Sequence, residues 1–135
     1  MSLRYLLDTN IISDLVRRPA GTVAKRIADV AEDSICTSIV VAMELRYGAV
    51  KSDSKQLSER VDLLLSALEI LPLEPPADER YAEVRHHLAT QGTPIGPNDL
   101  LIAAHTLAAD LTLVTANTRE FERVPSLRVE NWLFE

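Results

Sequence analysis

The chain has 135 residues, a length that is typical of one domain and sufficient to bury a hydrophobic core without disulfides. Its hydrophobic content of 47% and charged content of 25% exclude a disordered or membrane-embedded chain. The net charge of −6 argues against a simple cationic nucleic-acid binder, which neutralises phosphates with a surplus of lysine and arginine. A negative net charge is nevertheless expected where several carboxylates bind a cation, because the bound metal then supplies the positive charge that contacts the phosphate. We predict one domain over residues 1–135.

The sequence also bears on the cellular compartment. No apolar run approaches the roughly 18 to 20 residues of a membrane-spanning helix, and the first residues lack the pattern of a secretory signal. We therefore expect a cytoplasmic protein without membrane association. The single cysteine, Cys36, lies in the apolar run 34–41, so no internal disulfide can form, and a core position is expected.

The first half of the chain predicts two strands, each followed by helical segments. An apolar run that begins at Arg4 and ends at Asp8 predicts the first strand, and the β-branched segment 35–40 predicts the second. Helices are predicted over 11–16, over 22–31 with Thr22 as the N-cap, and over 41–50. A further helix is predicted from one apolar stripe, formed by Leu57, Val61, Leu64, Leu65 and Leu68.

The second half continues the alternation. A short apolar segment, 70–73, is followed by a helix from Ala77 to about Gly92, and Gly96-Pro97 opens another helix over 98–109. A strand is predicted over 112–115. Strands separated by helices predict the α/β class, with three α/β/α layers and a mostly parallel central sheet. In such sheets the reactive site lies outside the carboxyl ends of the strands, near a change in strand order.

Two acidic residues in the first half are candidates for such a site. Asp8 lies at the end of the first predicted strand, although an N-cap role would also explain it. Glu44 follows four apolar residues, so packing of its helix on the sheet would bury it in part. A partly buried carboxylate must be protonated, paired or bound to metal. An ion pair with Arg46 or another basic side chain is the alternative to metal binding.

Two further acids lie in the second half. Asp99 occupies the first turn of a predicted helix, where interaction with the helix dipole is a sufficient structural explanation. The same position also points a carboxylate from a rigid element towards the crevice. Glu120 follows the last predicted strand and can reach the same crevice, or it can be a surface acid beside Arg119 and Arg123. Asn117 is the other candidate for that corner.

The donor types predict the kind of ion. Carboxylates from distant parts of the sequence suit hard cations such as Mg²⁺ or Mn²⁺. The histidines lack a zinc-binding spacing: His86 and His87 are adjacent and expected at the surface, and His105 is expected to pack within its helix. No Gly-rich phosphate loop, Gly-x-Ser-x-Gly elbow or Rossmann fingerprint is present.

Four ordered motifs and the chain end carry a family resemblance. They are Leu-Leu-Asp-Thr-Asn at 6–10, Met-Glu-Leu at 43–45, Gly-Pro-Asn-Asp at 96–99, Val-Thr-Ala-Asn-Thr-Arg-Glu-Phe at 114–121, and Asn131-Trp132. Each motif alone is weak, but the ordered set covers almost the whole chain. In this set the sequence resembles the VapC-type PIN-domain ribonuclease toxins of VapBC toxin–antitoxin systems.

The resemblance implies a PIN-like fold and a Mg²⁺-dependent endoribonuclease, for which Mn²⁺ can substitute. It implies metal binding by Asp8, Glu44 and Asp99, inhibition by a VapB-type antitoxin, and a homodimer. Many members have an aspartate near Asn117 as the fourth acid, whereas this chain has an acid at Glu120, which we include among the catalytic candidates. The Asn-Thr-Arg-Glu-Phe pattern resembles that of relatives that cut initiator tRNA.

The corresponding reaction is hydrolysis by a metal-activated water, which leaves a 5′-phosphate and a 3′-hydroxyl. Thr9, Ser38 and Thr115 lie near enough to the strand ends to orient water or phosphate, but we expect them to be structural hydroxyls. Arg46, Arg119 and Arg123 are candidate contacts to the RNA backbone. A haloacid-dehalogenase-type phosphatase is disfavoured, because it needs a second aspartate where this chain has Asn10. The remaining alternative is a non-catalytic PIN-like RNA-binding or regulatory module.

Overall fold

The computed structural model describes residues 2–133. Its sheet has five parallel strands in the order β3-β2-β1-β4-β5. The strands are β1 (Tyr5–Leu7), β2 (Ile35–Ser38), β3 (Glu69–Leu71), β4 (Thr112–Val114) and β5 (Arg128–Glu130). The helices are α1 (Thr9–Arg17), α2 (Thr22–Val30), α3 (Ile39–Ser52), α4 (Lys55–Ala67), α5 (Ala77–Gln91), α6 (Pro97–Ala108) and α7 (Thr118–Phe121). The prediction of an α/β fold with a largely parallel sheet is confirmed.

The central strand explains why the core is continuous. β1 pairs with β2 on one side and with β4 on the other, and Leu6 and Leu7 are fully buried. A central parallel strand is covered on both faces, so its side chains are apolar without alternation. At the far end of the described chain, Trp132 is also fully buried and packs edge-on against Tyr5, with ring centroids 5.0 Å apart. The core thereby ties the last described residues to the first strand.

The boundary between β2 and α3 differs from the prediction. Strand β2 ends at Ser38, so Ile39 and Val40 belong to α3 and not to the strand. Ser38 is the N-cap, and its Oγ accepts a hydrogen bond from the backbone N–H of Val40 at 3.0 Å. β-branched residues favour strands only weakly, and the cap and the burial of Val40 outweigh that preference here.

Two other local predictions were wrong or incomplete. Gly21, not Thr22, is the N-cap of α2, and it supplies no side-chain hydrogen bond; Thr22 is the first helical residue. Strand β5 was not predicted, because an edge strand with exposed or half-buried residues carries no strong apolar pattern. The short segment after α4 does form a strand, β3, but it begins one residue earlier and ends at Leu71.

Several burial predictions are confirmed. Cys36 is a fully buried free cysteine, and burial is the main reason that its pKa is raised to about 12. His86 and His87 are exposed, whereas His105 is buried on α6. Among residues 2–133, no helix is both long enough and apolar enough to cross a bilayer.

His105→Gln is expected to make the free energy of unfolding less dependent on pH. The His105 Nδ1 lies 2.8 Å from Ser38 Oγ, and burial lowers the pKa of the ring below its ordinary 6.5, against raising contributions from the Pro72 backbone and Glu74. As pH falls below 6.5, the unfolded chain therefore binds a proton that the folded chain does not, and the wild type loses stability until the folded-state pKa is reached.

Urea unfolding between about pH 7.5 and pH 5 tests this prediction. At the upper end the variant is expected to lose about 1 kcal/mol through a poorer hydrogen bond. The difference between wild type and variant should shrink towards the lower end, since glutamine does not titrate. A difference that stays constant across the range would contradict the prediction.

Candidate active site

Four acidic side chains converge outside the carboxyl ends of the central strands. Asp8 follows β1, Glu44 lies on α3 directly after β2, and Glu120 lies on α7 after β4. Asp99 reaches the same place from the first turn of α6. The chain leaves β1 for β2 on one side of the sheet and later returns to β4 on the other, so the strand order changes at β1. This is the place where open α/β sheets form ligand sites.

Asp8 is both a helix cap and a buried member of this acidic group. Its side chain is only 2% exposed. One carboxylate oxygen, Oδ1, accepts from the backbone N–H of Thr9 at 2.8 Å, and Oδ2 accepts from the Thr115 hydroxyl at 2.8 Å. Burial is the main cause of its raised pKa, to which the charges of Glu44 and Glu120 also contribute. The structural and the functional interpretation of Asp8 are therefore compatible.

Glu44 is half-buried, as predicted, but it is not paired with Arg46. Its Oε1 accepts from the Thr9 hydroxyl at 2.8 Å, and its Oε2 accepts from the Asn98 side-chain amide at 3.4 Å. Arg46 instead pairs with Asp62 on α4. The alternative of a Glu44–Arg46 ion pair is wrong, and within residues 2–133 Glu44 forms no ion pair with another basic side chain either.

Asp99 shows the strongest electrostatic effect in the group. Burial raises its pKa to about 7, and so do a hydrogen bond with the Glu120 side chain and the negative charges of Glu120, Asp8 and Glu44. A carboxyl group whose pKa rises so far lies among like charges with too little compensation. The four acids therefore form one interacting cluster.

Glu120 contacts Asp99, whereas Asn117 lines the cleft. The Glu120 Oε1 accepts from the backbone N–H of Gly96 at 3.0 Å. A Cβ at Gly96 would lie 3.5 Å from Asp99 Oδ2 and 4.0 Å from Glu120 Oε1, so this part of the backbone packs directly against both carboxyl groups. Asn117 is the exposed N-cap residue of α7 and lies at the rim.

Three of the acids, Asp8, Glu44 and Asp99, border an open cleft of about 510 Å³. Its lining residues are Asp8, Thr9, Asn10, Ser13, Arg17, Glu44, Asp99 and Asn117. Within residues 2–133, none of the ion pairs includes any of the four clustered acids. The cleft thus has oxygen donors whose negative charge is not neutralised by an ion pair among the described residues, which suits a hard divalent ion.

The carboxylates are nevertheless not arranged as finished ligands. Over the described range 2–133, no three His, Cys, Asp or Glu side chains surround a common point at metal-binding distance. Hydrogen bonds from Thr9, Asn98 and Gly96 hold the two glutamates in their present orientations. The residue types and their convergence fit a divalent ion, and the glutamate side chains would have to turn to bind it.

Sequence reasoning missed several residues of the site. Asn98 contacts Glu44, and Asn10 connects two strand ends, because its Oδ1 accepts from the backbone N–H of Ala116 at 2.9 Å while its Nδ2 lies 3.5 Å from Asp8 Oδ2. Arg17 lines the cleft and was not considered. Asn10 and Asn98 could have been found from the sequence, because they lie in the two motifs that contain Asp8 and Asp99.

The hydroxyl groups and arginines for which the sequence predicted roles make the following contacts in the structure. Thr9, Ser38 and Thr115 all make structural hydrogen bonds, as predicted. Among the arginines proposed to contact RNA, Arg46 is paired with Asp62, and Arg123 donates to the Pro94 carbonyl at 3.3 Å. Both are therefore poor candidates for an RNA contact.

The parallel sheet with an acidic cleft at its carboxyl ends is that of a PIN domain. The family model described as PIN domain matches residues 5–127. PIN-domain nucleases generally use divalent metal ions.

Known relatives show to which group of PIN-domain proteins the chain is similar. The chain is 39% identical to Ribonuclease VapC2 of Rickettsia felis, over 95% of this chain and 97% of that protein. It is also 39% identical to the tRNA(fMet)-specific endonuclease VapC of Shigella flexneri, over 96% and 98% of the two chains. The solved structure of VapBC2 from Rickettsia felis, bound to a promoter DNA fragment, contains a chain that matches with a TM-score of 0.90 and 39% identity, covering 98% of this chain and 99% of that one. The chain therefore belongs to the VapC-type PIN-domain ribonucleases.

Proposed function

We propose that the chain is a divalent-metal-dependent endoribonuclease and the toxin of a type II toxin–antitoxin pair, with Mg²⁺ as its ion and Mn²⁺ as a substitute. The observation that carries the proposal is the meeting of four acids, Asp8, Glu44, Asp99 and Glu120, none of which forms an ion pair among residues 2–133. Such a concentration of charge is unfavourable for folding and is expected where it serves a bound cation.

Three of the acids are proposed as the metal ligands: Asp8, Glu44 and Asp99. A divalent ion held there would lower the pKa of a water and stabilise negative charge on the scissile phosphate. Asp8 is fixed in orientation by Thr115 and by the backbone of Thr9, so it provides the rigid part of the site. Hydrolysis by water leaves a 5′-phosphate and a 3′-hydroxyl and needs no nucleophilic side chain.

Glu120 is proposed as the fourth acid. Its hydrogen bond to the Gly96 backbone fixes it beside Asp99, with which it shares a second hydrogen bond. With Asp8, Glu44 and Asp99 assigned to the ion, Glu120 would be left as a carboxylate that could accept a proton as a general base.

The substrate is proposed to be initiator tRNA, cut in its anticodon loop. The support is the near full-length similarity to the relative named tRNA(fMet)-specific endonuclease VapC. The test is incubation of pure, antitoxin-free protein with total RNA, with Mg²⁺ or with chelator, followed by mapping of the cleavage ends. Cleavage at one tRNA loop supports the proposal. Metal-dependent cuts in other RNAs alone would keep the nuclease and reject the substrate, and absence of any cleavage would reject the nuclease.

The partner is proposed to be a VapB-type antitoxin that binds an apolar groove beside the acidic cleft. The groove has a volume of about 310 Å³ and lies between α1, α3 and α4. Its apolar lining is formed by Val16, Leu45, Ala49, Leu57 and Val61. Thr9, Ser13, Arg17 and Glu44 line both the groove and the cleft, so an antitoxin tail in the groove could extend a basic side chain to the acids.

Gly48→Leu is expected to weaken antitoxin binding by roughly 10- to 100-fold while preserving the fold, an effect of the size seen when one interface contact is blocked. Gly48 lines the groove on α3, and no atom lies within 4 Å of a Cβ placed there. A leucine therefore fills the groove without a clash in the toxin, and replacing glycine in a helix favours folding by about 1 kcal/mol.

Gly48→Ala is the matched control, because it gives the same helix preference without filling the groove. Titration of each variant with the antitoxin and thermal melting give the two readouts. Equal antitoxin affinity of the leucine and alanine variants would place the antitoxin elsewhere.

A homodimer is the remaining part of the proposal. Large apolar side chains are exposed on α3 and α4 and in the segment after β3: Ile39, Met43, Tyr47, Val50, Leu63 and Leu73. Tyr47 and Val50 are 67% and 76% exposed, which is unusual for adjacent positions of one helix face and favours a protein contact. Sedimentation of the isolated chain tests this, and a monomer at micromolar concentration would contradict it.

A further inference from the structure

Arg17 is the basic side chain of the acidic cleft. Of the eight residues that line the cleft, it alone carries a positive charge. It lies in the last turn of α1, is exposed, and forms no ion pair within residues 2–133. Five other arginines of the described chain form ion pairs: Arg18 with Asp14, Arg26 with Glu130, Arg46 with Asp62, Arg80 with Glu83, and Arg128 with Asp110.

We propose that Arg17 is a positioning residue that binds an RNA phosphate next to the one that is cut. This inference rests on the proposed function and names the group that holds the substrate across an otherwise acidic surface. A bound metal neutralises charge at the scissile phosphate only, so the neighbouring phosphates face the carboxylates of the cleft unless a cation meets them. Arg17 is the free cation at that surface.

The geometry of α1 indicates whether Arg17 can reach the scissile phosphate or the phosphate next to it. Asp8 is the N-cap of α1 and Arg17 is its last residue, so their Cα atoms are separated by about 13 Å along the axis at 1.5 Å per residue. Helical side chains lean towards the N-terminus, which brings the guanidinium part of the way back to the acids. Arg17 therefore reaches a phosphate beside the reaction centre, and its loss should affect binding more than the chemical step.

Arg17 also lies at the border between the cleft and the apolar groove, since it lines both. A strand of RNA that leaves the reaction centre on this side must pass it. Phosphate contacts of this kind fix the register of a nucleic acid without reading its sequence. The proposed contact thus holds the strand in register with the acids and leaves the choice of sequence to other residues.

The test compares Arg17→Ala, Arg17→Lys and the control Lys25→Ala on an initiator-tRNA anticodon stem-loop at several salt concentrations. Lys25 is exposed on α2 and outside the cleft, and its removal changes the net charge equally. We expect Arg17→Ala to raise KM roughly tenfold and to leave kcat within about twofold of the wild type. The slope of log(kcat/KM) against log salt concentration should become less negative by about one. Arg17→Lys should recover most of the loss, and Lys25→Ala should match the wild type.

A kinetic profile of Arg17→Ala that equals that of Lys25→Ala would overturn the inference, and so would a lower kcat at unchanged KM. Fluorescence anisotropy of the labelled stem-loop gives a second readout that does not need cleavage. In an Asp8→Asn background, addition of Arg17→Ala should weaken binding roughly tenfold. If the wild type cuts no RNA, the proposed function fails, while this binding comparison still decides the role of Arg17.

Discussion

Asp99→Asn is expected to reduce RNA cleavage by more than about 100-fold while the protein stays folded. The amide has nearly the same shape and can still cap or hydrogen-bond in the first turn of α6, so a purely structural role would cost at most about 1 kcal/mol. It lacks the charge that holds a hard cation. Because the pKa of Asp99 is raised by burial and by neighbouring acids, removal of its charge also relieves repulsion in the metal-free protein.

Cleavage rates, thermal melting and antitoxin binding together test this expectation. The melting temperature of metal-free Asp99→Asn should be equal to or above that of the wild type, and antitoxin binding should persist. Asp8→Asn should lose cleavage to a similar extent, and the losses should not add in the double variant, because both residues serve one reaction centre. Cleavage at the wild-type rate by folded Asp99→Asn protein would remove Asp99 from the site.

Removal of divalent metal is expected to abolish cleavage, and added Mg²⁺ or Mn²⁺ should restore it. The four acids supply oxygen donors but no basic group that could replace the charge of the ion at the phosphate. The same ions should raise the melting temperature of the wild type, since a ligand that binds only the folded chain stabilises it. The increase should be largely absent in Asp99→Asn.

The melting experiment distinguishes an ion that the protein binds from Mg²⁺ that only the RNA binds. A tRNA substrate also binds Mg²⁺, so loss of cleavage in chelator alone does not locate the ion on the protein. A rise in melting temperature without RNA locates it there. Undiminished cleavage by protein freed of metal in EDTA would contradict metal dependence altogether.

The helices and inner strands were largely predictable because local patterns determine them. The stripe of Leu57, Val61 and Leu65 identified α4, and the apolar run before Asp8 identified β1. The ends of the secondary-structure elements and the edge strand β5 were harder to predict from the sequence. The end of β2 at Ser38 depends on a cap that competes with β-branched residues, and β5 depends on pairing with β4, a partner distant in sequence.

The candidate acids were also recognisable, since each lies in a short motif at the end of a strand or the start of a helix. Sequence could not decide whether Glu120 contacts Asp99, or whether Glu44 pairs with Arg46. Those choices depend on distances between side chains of different elements. The hydrogen bond from Gly96 to Glu120 and the pairing of Arg46 with Asp62 exist only once α3, α4, α6 and α7 are packed.

The sequence by itself determined the α/β class, the absence of an internal disulfide, the family resemblance and the set of carboxylates, because composition, periodicity and short motifs are local properties. Only the tertiary structure brought Asp8, Glu44, Asp99 and Glu120 together and placed Arg17, which has no ion pair among residues 2–133, beside the first three. The physical reason is that electrostatic and hydrogen-bond interactions act over a few ångströms in space. Residues far apart in the chain reach such distances only when the sheet order and helix packing are fixed.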